Sequence, residues 1–134
     1  MNDIEKKWKP KYGEAYFTIE NAVDVVRYIY IGDDIDESCI LSGDYFPTRE
    51  RAEQVARKIR LLLRLEQLHD QLCPDYEPDW DGTAKFLVAF DHTDGEMQAF
   101  FERSSGESTL VYFRDVVTAM EAADILNAEL EESK

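Results

Sequence analysis

The sequence predicts an α+β domain, written as two tandem strand-strand-strand-helix repeats that pack into one domain with antiparallel sheet. Runs rich in aromatic and β-branched residues are followed, twice, by a long helical periodicity. The two sets also superimpose. With an offset of 67, Tyr45-Phe46 falls on Tyr112-Phe113, Thr48 on Asp115, Ala52 on Ala119, Val55 on Ala122, Ala56 on Ala123, Ile59 on Leu126 and Leu63 on Leu130. With an offset of 69, Gly13, Ala15 and Phe17 fall on Gly82, Ala84 and Phe86, the difference of two being loop length. A chain of 134 residues that is 44% hydrophobic suits a single domain. Each repeat has one helix for one small sheet and would be marginal alone, so the halves are expected to bury their apolar faces against each other.

Taken in order, repeat one covers about 13–72. Glu14 to Ile19 and Val25 to Ile31 read as strands around a short turn at Glu20 to Asp24. Gly32 to Asp36 closes the second strand, and a third short strand is expected around Cys39 to Leu41 or slightly later. Pro47 pushes Phe46 to an extended conformation, Thr48 is a good N-cap, and a helix is expected from about Arg49 to about Leu72. Residues 73–82 contain Pro74, Pro78 and the four carboxylates of Asp75, Glu77, Asp79 and Asp81, with Asp70 just before them at the helix end; they read as an irregular acidic linker. Repeat two, about 83–132, offers strands at Ala84 to Phe90, Glu96 to Glu102 and Thr109 to Phe113. An Asp94-Gly95 hairpin turn lies within it, and a last helix runs from about Val116 to Glu131 with Ala119, Ala122, Ala123, Leu126 and Leu130 on one face.

The first helix carries two apolar stripes. At 100° per residue, Val55, Ala56, Ile59, Leu62 and Leu63 fall within about 80° of Ala52 and form a core face. Leu61, Leu65, Leu68 and Leu72 cluster on the opposite side, with Arg51, Arg57, Lys58, Arg60 and Arg64 between. Such a second stripe must be covered. Either the chain covers it, through Tyr76 and Trp80 or the second repeat, or a second protomer does, in an antiparallel or crossed helix pair that makes a homodimer.

Charge divides unevenly: residues 1–64 hold 11 basic and 12 acidic side chains, residues 65–134 hold 4 and 17. The acidic half repels phosphate backbones and anionic membranes and attracts cationic protein surfaces, so neither direct nucleic-acid binding nor membrane binding is expected. Its candidate partner-binding residues are Asp70, Asp75, Glu77, Asp79, Asp81, Asp91, Asp94 and Glu96. The start from Met1 to Lys11 is charged with no apolar stretch behind it, and no run approaches membrane-spanning length. Cys39 and Cys73 are expected to be reduced. His69 and His92 have no nucleophile near them in sequence, and two histidines with two scattered cysteines do not supply a zinc set. The acidic loops Gly32 to Glu37 and Asp91 to Glu96 lack the spaced six-ligand calcium pattern, and no glycine-rich phosphate loop is present. No catalytic residue, metal or cofactor is therefore assigned. The aromatics Tyr16, Phe17, Tyr28, Tyr30, Phe86, Phe90, Phe100 and Phe101 read as strand core, or as a stacking face for a small nucleotide or signal molecule together with the helix arginines.

The segment Trp8-Lys9-Pro10-Lys11-Tyr12-Gly13-Glu14-Ala15-Tyr16-Phe17-Thr18-Ile19, followed by Gly43-Asp44-Tyr45-Phe46-Pro47-Thr48-Arg49-Glu50-Arg51-Ala52 and by Pro78-Asp79-Trp80, resembles a pattern in small phage- and prophage-encoded proteins of unknown function. The resemblance spans mainly residues 8–60 and 78–90 and carries over no site residue. It implies a virus-borne accessory protein working in a bacterial host cytoplasm. Joined to the missing catalytic set and the acidic half, it leads to a non-enzymatic interaction protein. The expected role is to inhibit a host nucleic-acid-handling or defence protein with a basic surface, such as a CRISPR effector, in the manner of an acidic DNA mimic. The alternative is a binder of a small nucleotide or signal molecule on the aromatic and arginine face.

Overall fold

The structure, a computed structural model, describes residues 7–133; the charged start from Met1 as far as Lys6 lies outside them. The class is α+β. In order the chain forms β1 (Ala15–Glu20), β2 (Asp24–Ile29), α1 (Asp34–Ser42), α2 (Arg49–Leu72), β3 (Lys85–Asp91), β4 (Glu96–Glu102) and α3 (Val116–Glu132). β1 pairs with β2 and β3 with β4, each as an antiparallel two-stranded sheet. The chain divides into two compact units, with the boundary between Leu61 and Leu62, inside α2.

In the first unit β1 and β2 meet through a turn whose central residues Asn21 and Ala22 both have positive φ, 55° and 61°. This is the backbone twist a tight hairpin favours, but alanine pays a steric cost there that glycine does not. Ala22→Gly is expected to raise stability by about 1 kcal/mol, read as a higher thermal midpoint. Where a third strand was expected near Cys39 to Leu41, the chain is helical. Asp33 caps α1, its carboxylate accepting from the Asp36 N–H at 2.9 Å, while Asp36 answers with a bond from the Asp33 N–H. Gly43, at φ 80°, ends the helix. This capping box is built from two aspartates, and Asp36 is the one buried residue of α1, so no apolar periodicity announced it. The third pairing occurs later and is a single residue long. Phe17 and Phe46 exchange N–H···O bonds of 2.9 and 2.8 Å, after which Pro47 offers no N–H and α2 begins, its Thr48 hydroxyl accepting from the Arg51 N–H at 3.2 Å.

The second unit also has a lone bridge followed by a capped helix but, among the described residues, no counterpart of α1. The Phe113 N–H donates to the Phe86 carbonyl at 2.7 Å in a lone bridge, and then Asp115 caps α3 by accepting from the Thr118 N–H at 2.8 Å. The expected strand Thr109 to Phe113 is thus reduced to one paired residue, because the chain turns into a helix two residues on. Bridge partners Phe17 and Phe86, and Phe46 and Phe113, stand at the offsets of 69 and 67 that align the two sets in sequence. α3 buries Thr118, Ala119, Ala122, Ala123 and Leu126, while Leu130 stays partly exposed.

Of the segments that carry the phage-like resemblance, 8–19 and 43–52 lie in the first unit and meet there, whereas Pro78, Asp79 and Trp80 stand in the second. Trp8 stacks on Tyr45 with ring centroids 6.1 Å apart, Asp44 accepts from the Ile19 N–H at 2.8 Å, and Gly13, at φ 85°, donates to the Tyr30 carbonyl at 2.9 Å. They tie the hairpin to the start of α2, which is structural work.

α2 changes its buried side along its length. Before Leu61, Ala52 and Ala56 are buried with Val55 and Ile59 half-buried; from Leu62 onward Leu68 is buried with Leu65 and Leu72 half-buried. Leu62 and Leu63, expected in the core, are 40% and 50% exposed. Of the two covers weighed for the stripe of Leu61, Leu65, Leu68 and Leu72, the chain itself supplies one at the centre, where Leu68 has no exposed surface; Leu61, Leu65 and Leu72 are half-buried. The cause is that each half of this long helix supplies its apolar residues to its own unit.

Candidate functional site

The linker between α2 and β3 is pinned residue by residue. The Cys73 N–H continues the helix by donating to the His69 carbonyl at 2.8 Å, and the Tyr76 N–H donates to the Cys73 carbonyl at 3.0 Å. His69 Nε2 lies 3.0 Å from the Tyr76 carbonyl, which only accepts, so this nitrogen carries the proton. Trp80 meets Tyr112 edge-on at 5.7 Å, and the Lys85 ammonium sits 5.0 Å over the Trp80 ring. Lys85 is 1% exposed and donates to the carbonyls of Thr83 and Ser104, so its buried ammonium ties the end of the linker to the segment after β4 through neutral acceptors and an aromatic face.

The consequence is an alternation. Tyr76, Pro78 and Trp80 are half-buried, whereas Asp75, Glu77, Asp79 and Asp81 between them are exposed. The chain turns at Pro74–Asp75 and bends from Trp80 to Gly82, so the four exposed carboxylates form a row in sequence, each set beside half-buried neighbours. Asp81 accepts from both the N–H and the hydroxyl of Thr83, at 3.0 and 2.7 Å, and these bonds hold its carboxyl below the ordinary range. Asp70, also exposed, lies 3.2 Å from His69 Nδ1.

The other expected acidic residues stand apart, at the β3–β4 turn. Asp91 accepts from the Thr93 N–H at 2.8 Å, Asp94 accepts from the Gln98 amide, and Glu96 is exposed. No hydrogen bond or ion pair joins this group to the linker row among the described residues. The aromatic and arginine face divides as well. Tyr16 is fully buried, the Tyr28 hydroxyl donates to Glu20 at 2.6 Å, and the Arg49 guanidinium lies 5.2 Å over the Phe17 ring. Arg64 is bound to Glu129, its Nε donating at 3.0 Å. Arg49, Arg57 and Arg60 line a groove of about 260 Å³ beside Val23 and Val25.

Among the described residues no group of three or more His, Cys, Asp or Glu side chains is placed to hold a metal ion, and no helix is long and apolar enough to cross a membrane. Cys39 and Cys73 are free thiols, the second buried. Sequence reasoning missed the role of Lys85, which reads as an ordinary strand residue, and the anchoring of the linker. The alternation of Tyr76, Pro78 and Trp80 with the carboxylates was a legible signal for the latter. No protein-family model matches the chain, and no curated protein and no solved structure matches it significantly.

Proposed function

We propose that this is a non-enzymatic interaction protein that occupies the basic, nucleic-acid-binding surface of a bacterial host protein and inhibits it, as a phage-borne inhibitor of a defence nuclease would. The observation that carries this reading is the run of exposed carboxylates Asp75, Glu77, Asp79 and Asp81, which alternate along the linker with the half-buried side chains of Tyr76, Pro78 and Trp80. A pre-ordered row of like charges loses little conformational freedom on docking and steers a cationic partner from a distance. The row sits in the half of the sequence that holds 17 acidic and 4 basic residues, which strengthens the field.

The test uses the full chain immobilised to capture host proteins, followed by competition. The expected result is a captured nucleic-acid-binding protein that duplex DNA displaces and whose association slows steeply as salt rises through about 0.1 M, where the screening length nears 10 Å. Replacing all four residues, Asp75→Asn, Glu77→Gln, Asp79→Asn and Asp81→Asn, should weaken binding about tenfold or more, and Asn at 81 keeps an acceptor for Thr83. Binding that ignores salt, DNA and these substitutions refutes the reading. The second reading, a small anionic ligand such as a nucleotide, is favoured by the groove of Arg49, Arg57 and Arg60; calorimetric titration with nucleotides decides it.

A further inference from the structure

In an antiparallel pair, alternate residues turn their N–H and C=O groups toward the partner strand or away from it. In β4, the peptide groups of Met97 face away from β3. Its N–H donates to Asn127 Oδ1 at 2.7 Å, and its carbonyl accepts from Asn127 Nδ2 at 3.0 Å. Period two then turns the N–H and C=O of Ala99 and Phe101 outward too, where they have no hydrogen-bond partner among the described residues. The Asn127 amide closes the edge at Met97 as one residue of an added strand would, and leaves the rest of the edge bare.

Beside that bare edge runs a groove of about 340 Å³ between β4 and α3, with Val116 and Met120 on its helix wall, about half exposed, and Glu96 and Asp124 as its charged residues. The first unit builds its counterpart at corresponding positions. There Arg49, Glu53, Arg57 and Arg60 of α2 stand 67 residues before Val116, Met120, Asp124 and Asn127. Arg60 donates to the Val23 carbonyl at 3.3 Å, as Asn127 does to Met97. The same groove is thus cationic in one unit and apolar with carboxylates in the other.

We infer that the β4 edge takes an extended segment of a partner protein as an added strand. Its backbone pairs with Ala99 and Phe101, its apolar side chains lie on Val116 and Met120, and a lysine or arginine faces Asp124 and Glu96. The unpaired backbone selects an extended peptide and the two carboxylates select a basic one. A second copy is disfavoured because residues 62–134 hold 17 acidic and 5 basic side chains, so like charges would meet. This surface is separate from the linker row.

The probe is a short synthetic peptide of alternating valine and lysine, titrated into the full chain and followed by NMR and amide hydrogen exchange. Binding is expected, with exchange at Ala99 and Phe101 slowed at least tenfold and exchange at Phe100, already paired to β3, unchanged. Ala99→Pro removes an N–H the fold does not use, and a proline is tolerated on such an edge; it should reduce binding at least tenfold. Asp124→Lys, at an exposed position, should shift the preference to an alternating valine–glutamate peptide, which decides the matter if the proline variant misfolds. The chain with the four linker carboxylates neutralised should bind the peptide as the wild type does, so either reading can fail alone. No peptide binding, protection elsewhere, equal binding by both variants, or a wild-type self-association that Ala99→Pro abolishes would overturn the proposal.

Discussion

Asp36→Ala is expected to destabilise the first unit by about 3–5 kcal/mol, because it strips several donors of one buried acceptor. Asp36 is 2% exposed, and its Oδ2 accepts from the N–H groups of Ile31 at 2.7 Å and Gly32 at 2.9 Å, with that of Asp33 at 3.3 Å. Its other oxygen accepts from the hydroxyl of Tyr16, which is itself fully buried. Burial alone would raise the Asp36 carboxyl, but the bonds from Tyr16 and from the three backbone donors outweigh it and hold it below the ordinary value. Burial and the bond to Asp36 push the Tyr16 hydroxyl far up, so it remains a donor at every pH of interest. The sign for stability follows from Asp36. A depressed folded-state value means the stabilisation is complete above the unfolded carboxylate value of about 4 and is lost as pH falls through the lower folded value. Urea titration, with amide exchange of residues in β1 and β2 as the local readout, should show the loss. Asp36→Asn should still destabilise, by placing an NH₂ against donors, and should flatten the acid limb of the stability profile. Unchanged stability, or an acid limb as steep in the asparagine variant as in the wild type, would contradict the network.

Leu68→Ala is expected to cost about 2–5 kcal/mol, against less than about 1 kcal/mol for Leu63→Ala. Helical periodicity assigns Leu63 to the core face and Leu68 to the face turned away. The accessible surface reverses them: Leu68 is fully buried and Leu63 is 50% exposed. Because Leu68 has no exposed surface, its truncation leaves a cavity that the surrounding packing fills only in part. Thermal or urea unfolding of the two variants compares them directly. Equal losses would mean that a single core face runs the length of α2.

Local chemistry made much of the secondary structure legible. Thr48, Pro47 and the acid in the first turn place the start of α2 at Arg49, and Cys73-Pro74 places its end at Leu72; the helix has those bounds. Asp115 fixes the start of α3 in the same way, and Asp94-Gly95 fixes the β3–β4 turn. α1 escaped because its capping residues are aspartates inside an acidic run that reads as turn, and because its apolar side chains make no stripe: Leu41 is 91% exposed. The acidic row was read as composition, although its alternation with Tyr76, Pro78 and Trp80 is legible in the sequence. Which carboxylates point outward depends on Tyr76, Pro78 and Trp80 packing inward, and that depends on Tyr112, His69 and the Lys85 ammonium, contacts that no local pattern encodes.

By itself the sequence determined the α+β class, the bounds of the two long helices, the β3–β4 hairpin and the concentration of negative charge in the second half, because caps, turns and side-chain charge act over a few residues. Tertiary structure alone decided that the third strand of each set shrinks to a single bridge, since the chain must leave the sheet to begin a helix. It also decided which stripe of α2 is buried where, and which backbone groups of β4 stay bare. Those depend on what other segments cover, and a side chain's periodicity states only that one face is apolar, not which neighbour meets it.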